Sequence, residues 1–181
     1  LLKDSEVTLT ASPANLALDP DGTAKTNEQG QAIFTATTTV AAKYTLTAQV
    51  SQTNGQVSTK TAESKFVADD KNAELTASSD VQSLVADGKS TAKLEVTLFS
   101  ANNPVGGNVW VDIEAPEGVT EKDYQFLPSK NDHFVSGKIT RTFSTSKPGV
   151  YTFTFNALTY GGDEMKPVTG TITAVDADTA K

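Results

Sequence analysis

The chain has 181 residues, 37 % of them hydrophobic, with a formal net charge of −7. It has no cysteine and one histidine. That length fits one or two small domains with thin cores, and the residue types leave little material for thiol or histidine-based catalysis. Basic residues never cluster, so nucleic acid and anionic membranes are not expected partners.

Thr occurs 27 times. A β-branched side chain with one polar arm suits a pleated, half-solvated surface. No apolar run of about 18 residues exists. No leader segment is read, and the pattern opens midway at Leu1, as expected for a fragment. A cysteine-free β array fits a cytosolic protein, or a bacterial surface protein that crosses a membrane unfolded.

Alternation of period two runs along the chain. Val7 and Leu9 alternate with Thr8 and Thr10. Ala32, Phe34 and Ala36 form the next apolar face, then Tyr44, Leu46, Ala48 and Val50. Further on, Leu94, Val96 and Leu98 alternate with Glu95 and Thr97, and Val109, Val111 and Ile113 with Trp110 and Asp112. Tyr151, Phe153, Phe155 and Ala157 close the series. One apolar face per strand is the pattern of an antiparallel sandwich. Asn54-Gly55, Asp87-Gly88, Gly106-Gly107, Pro148-Gly149 and Gly161-Gly162 supply the turns.

The chain also repeats itself. Gly30 and Gly137 each precede a Tyr by 14 residues (Tyr44, Tyr151), and each Tyr precedes an Asp by 25 (Asp69, Asp176). The offset of 107 is about one domain length, so the expectation is two tandem modules, residues 1–70 and 71–181. Their boundary falls in 67–72, read as a fairly stiff joint, with a flexible hinge as the alternative. The second module has two strand regions before Asn108; the first has only the five residues LLKDS before its matching strand at Val7. The first module is therefore expected to lack its opening strands.

Several segments resemble bacterial Ig-like modules of the intimin/invasin family. These are Val85-Ala86-Asp87-Gly88, Asn103-Pro104-Val105, the run from Thr26-Asn27-Glu28-Gln29-Gly30 to Gln31-Ala32, Lys43-Tyr44-Thr45-Leu46, and Gly149-Val150-Tyr151. The likeness covers nearly the whole chain. It implies an all-β fold of tandem Ig-like sandwiches arranged end to end. It further implies an outer-membrane protein displayed on the bacterial surface and anchored by a region upstream. The expected partners are neighbouring Ig-like domains and a host cell-surface protein or glycan. The second module departs from the pattern at 132–139, in the longer stretch 117–134, and at Arg141, whose inward phase demands a partner or a bulge.

No catalytic site, cofactor or metal is expected. Carboxylates Asp69, Asp70 and Asp87 offer at most a weak cation site near the joint. Trp110 has the outward phase and is the leading binding candidate, with Phe99 beside it if Leu98 pairs with Val111. The alternatives are a self-contained aromatic pair, or a Trp110 covered by 117–134. A purely structural spacer and a carbohydrate-binding accessory module remain open as functions.

Overall fold

A computed structural model describes residues 3–51 and 55–178. Asn54, half of one expected turn, lies outside the described residues; its neighbour Gly55 has φ +85°. The chain forms two compact units, Leu1–Ala68 and Asp69–Lys181.

The second unit is an Ig-like sandwich. The first unit holds β1 (Glu6–Ser12), β2 (Ala17–Asp19), β3 (Thr23–Lys25), β4 (Thr35–Thr37), β5 (Ala42–Ser51) and β6 (Val57–Phe66). The second holds β7 (Glu74–Ser79), β8 (Ser83–Val85), β9 (Ala92–Ser100), β10 (Asn103–Pro104), β11 (Gly107–Glu114), β12 (Tyr124–Leu127), β13 (Asn131–His133), β14 (Lys138–Thr145), β15 (Gly149–Thr159) and β16 (Val168–Val175). One of its sheets runs β10-β9-β14-β12 with β7 on β9, and the other β13-β11-β15-β16-β8. This is the strand order of an Ig-like sandwich, with β8 pairing parallel to β16.

The alternation read from the sequence becomes the core. Leu94, Val96 and Leu98 of β9 are buried, as are Val109 and Val111 of β11 and Phe153, Phe155 and Ala157 of β15. Rings from both sheets meet in the middle: Phe143 of β14 lies 5.0 Å from Phe153, and Phe126 of β12 lies 5.7 Å from Phe153. Such ring pairs add to the burial of their large apolar area.

The first unit has the same plan with fewer strands. Its sheets are β3-β1-β5-β6 and β2-β4. Ladder registers align β1–β6 with β11–β16. Leu9 pairs with Ala48 as Val111 pairs with Phe155, and Leu18 pairs with Ala36 as Phe126 pairs with Phe143. Among the described residues of the first unit, nothing corresponds to β7–β10. Inner positions that are buried in the second unit are only partly buried in the first, as at Leu46, Ala48 and Ala36.

The two tyrosines mark matching corners. The Tyr151 hydroxyl donates to the Lys147 carbonyl at 2.8 Å and lies 2.6 Å from Thr145 Oγ1, which accepts the Lys147 N–H at 3.1 Å. The Tyr44 hydroxyl stands 2.9 Å from the Val40 carbonyl and 3.1 Å from Thr38 Oγ1, which accepts the Val40 N–H at 3.0 Å. Every member of this corner is displaced by 107 positions. A buried ring keeps its hydroxyl satisfied and pins the crossing between sheets. Burial also pushes the Tyr151 phenol above its ordinary pKa.

The second packing partner of each Tyr differs. Tyr44 meets Phe66 of β6 edge-on at 5.5 Å, and Tyr151 meets Phe143 of β14 at 4.9 Å. The register places Ala36 where the second unit has Phe143, and Ala174 where the first has Phe66. One large and one small residue have exchanged sides around the same ring, which conserves volume.

The Asp69/Asp176 echo fails at this level. Ala42 pairs with Phe66, whereas Gly149 pairs with Ala174. The β15–β16 hairpin is one residue longer, so the offset there is 108 and the two aspartates are not equivalent.

Replacing Tyr151 with Phe should lower the stability of the second unit by about 1–2 kcal/mol, because the Lys147 carbonyl and the buried Thr145 hydroxyl each lose one of their hydrogen-bond partners. The sole tryptophan lies in this unit, so its fluorescence in a denaturant titration isolates the transition. An unchanged midpoint would deny the corner an energetic role.

Candidate functional site

Trp110 sits on β11 with buried Val109 and Val111 on either side, and it takes the opposite face. Its cross-strand neighbours are Asn131 on β13 and Asn156 on β15. The Asn156 amide donates to Asp112 Oδ2 at 3.2 Å. The indole is partly buried, and a shallow hollow of about 640 Å³ opens beside it, lined by Asn108, Trp110, Asn131, Asp132, His133 and Leu158.

Phe99 does not join Trp110. The expected pairing of Leu98 with Val111 is absent because β9 and β11 belong to different sheets. Residues 101 and 102 turn the chain with φ +46° and +67°, β10 adds two residues to the sheet of β9, and the chain then leaves for the other sheet at Gly107. A Cβ on Gly107 would stand 2.5 Å from the Leu158 carbonyl, so only glycine allows that entry. Phe99 lies opposite Glu74 and Pro104, with its ring against Gly137. It covers the 135–138 turn, where Ser136 and Gly137 both have positive φ.

That tight turn explains the departure from the T-N-x-x-G-x-A pattern. In the first unit Asn27 Oδ1 accepts the N–H groups of Gln29 and Gln31 at 3.0 Å each, closing a longer turn. The second unit replaces it with a two-residue hairpin turn.

The stretch 117–134 supplies one wall of the hollow and does not roof Trp110. Between matched positions it is six residues longer than its counterpart: 23 positions separate Val109 from its partner Asp132, against 17 from Val7 to Ala24. The excess forms a braced loop. Lys130 Nζ reaches Glu121 Oε1 at 2.7 Å and lies 6.0 Å from the Tyr124 ring centre. Thr120 N–H donates to Asp123 Oδ2 at 2.9 Å.

Arg141 takes the partner that its inward phase demands. Its side chain is 4 % exposed, and Nη2 meets Asp132 Oδ2 at 2.6 Å. Nε donates to the Ser129 carbonyl at 2.7 Å and Nη1 to the Thr140 carbonyl at 2.9 Å. The bond joins β14 of one sheet to β13 of the other, directly behind the hollow. Asp132 also accepts the His133 N–H at 2.8 Å. That bond first, and the guanidinium second, hold the Asp132 carboxyl below the usual carboxylate range. The first unit has Ala24 and Phe34 in these two places. Arg141 was legible by phase; Asp132, nine residues back on another sheet, carried no signal of its own.

His133 is exposed, with Nδ1 3.3 Å from Asp132 Oδ1. Asp69 Oδ2 accepts from Asn72 Nδ2 at 2.6 Å, and Asp87 Oδ1 accepts the N–H groups of Lys89 and Ser90 at 2.8 and 2.7 Å. Among the described residues, no three His, Cys, Asp or Glu side chains form a metal-binding group. No helix among them is long and apolar enough to cross a membrane.

Asp132→Ala should cost about 2–3 kcal/mol, less than for a wholly buried pair because Asp132 is 34 % exposed. The double variant Asp132→Ala/Arg141→Phe, which installs the first unit's pair, should recover to within about 1 kcal/mol of the parent. Urea titration of the three proteins checks this, and strict additivity would deny the coupling. Because the Asp132 pKa is depressed by folding, its contribution is complete above the unfolded value of about 3.9 and is lost as pH falls through the folded value. The parent should therefore lose stability more steeply than Asp132→Asn on acidification below about pH 4.

No family model and no curated protein matches the chain. Among solved structures it is similar to the D0–D1 domains of intimin, at 18 % identity and TM-score 0.38, over 93 % of this chain and 82 % of that one. It is similar to the D00–D0 domains of intimin, at 15 % identity and TM-score 0.46, over 97 % and 88 %. It is also similar to invasin, described as a bacterial integrin-binding protein, at 21 % identity and TM-score 0.45, over 96 % of this chain and 33 % of that one.

Proposed function

We propose that this chain is a segment of a bacterial surface adhesin of the intimin/invasin type, held outside the outer membrane by an anchor elsewhere in the polypeptide. It acts by presenting and spacing binding surface, without catalysis. The supporting observation is that the family-like motifs fall on the turns and strand starts of two Ig-like units, with the corner tyrosines Tyr44 and Tyr151 equivalent in both. Asn27 closes the turn before β4, Asp87 closes the turn before β9, and Gly149-Val150-Tyr151 opens the strand that carries the corner tyrosine.

In this reading residues 1–70 are a regular module and residues 71–181 contribute to recognition of a host cell-surface protein or glycan. Trp110 is the anchor, since aromatic side chains with rigid surroundings dominate interface energy. Phe99 is left to packing. A pure spacer is the second reading. The first unit favours it, with Thr8, Thr23 and Gln49 at the places of Trp110, Asn131 and Asn156.

Binding of the full chain to cultured host cells tests the proposal. Trp110→Thr, which borrows the residue of the first unit, should weaken binding at least about tenfold while the unfolding transition stays intact. Equal binding by parent and variant would reject Trp110 as the anchor. No binding by the parent would leave the spacer.

A further inference from the structure

The hollow beside Trp110 has a specific chemical character. Its lining offers a flat indole, the amides of Asn108 and Asn131, the imidazole of His133 and the aliphatic end of Leu158. Among its lining residues there is no Lys or Arg. The one charged group, Asp132, is already neutralised from behind by Arg141 at 2.6 Å. The surface is therefore close to neutral locally, on a chain of net charge −7 that repels anions.

Such a surface does not suit an added peptide strand. The adjoining edge strand β13 is only three residues long. Its Asn131 N–H donates to Ser129 Oγ at 3.1 Å, and its His133 N–H to Asp132 Oδ1 at 2.8 Å. An edge whose N–H groups are occupied offers no ladder to an incoming strand. The hollow also lacks the cluster of apolar anchors that a protein interface centres on.

What remains is recognition by side chains across one open face. A ring that stacks, ringed by amides that both donate and accept, matches a sugar: its C–H face lies on the indole and its paired hydroxyls meet the amides. The constellation is not a by-product of the fold. The first unit has Glu6, Thr8, Thr23 and Lys25 in place of Asn108, Trp110, Asn131 and His133. The Arg141–Asp132 bond fixes β13 from behind, so the amides are held before any ligand arrives.

We propose that the Trp110 hollow is a binding site for neutral glycans. The inference rests on the adhesin reading above and names the chemistry of its partner. Trp110 is the only tryptophan in the chain, so its emission reports the site directly.

The test titrates the full chain with lactose, N-acetyllactosamine, chitotriose and maltotriose, with 3′-sialyllactose as the acidic counterpart. At least one neutral sugar should change Trp110 emission with a Kd of about 1 mM or tighter, as befits a shallow site. The sialylated form should bind at least about tenfold more weakly than lactose. Asn131→Thr, which keeps the reporter, should weaken the neutral sugar about tenfold. Absence of any sugar response, or a response untouched by Asn131→Thr, overturns the glycan site. If the chain still binds cells through Trp110 in that case, the adhesin reading stands with a protein partner. If cell binding also fails, the glycan site and the recognition role both fall and the spacer reading is left.

Discussion

A single phenolic hydroxyl at each sheet crossing sets the frame for everything else. The chain must leave β14 in one sheet and enter β15 in the other within a few residues, and Tyr151 closes that crossing onto the Lys147 carbonyl at 2.8 Å. The ring is then fixed in the core, so β15 has one register and its inner residues one depth. Trp110, Asp112 and Asn156 inherit their positions from that strand through the β11–β15 ladder. The hollow is thus located by a bond on the opposite face of the sheet.

The two units show how much the frame tolerates. Large and small residues trade places around the tyrosine ring, and an ion pair stands where the other copy has Ala24 and Phe34. The ion pair is costly to isolate and, by volume, replaceable. Its place behind an open hollow, tying β13 to β14, makes sense as rigidity of the edge strand more than as net stability.

Strands were legible from alternation because each has one wet face, and the corner tyrosines from their spacing. Alternation reports which face a residue takes but not which sheet its strand joins. Phe99 and Trp110 therefore read as neighbours, although the backbone at 101–107 carries the second strand into the other sheet. The Asp69/Asp176 echo misled for a related reason: one extra residue in a hairpin shifts a ladder without disturbing composition. Arg141 announced a need, since a charge in an inward phase must be met. Its answer lay on β13, a three-residue strand of the other sheet, too short for period-two reasoning to hold.

The parallel pairing of β8 with β16 has a mechanical side. Ser83 lies beside Thr173 and Val85 beside Val175. The chain enters β8 at one end of this short ladder and leaves β16 at the other. Tension drawn along the polypeptide through the second unit loads these bonds in shear, side by side, instead of opening them one after another. A sandwich built this way shares a pull across several hydrogen bonds at once, a useful property in any module that must stay folded while something tugs on the chain.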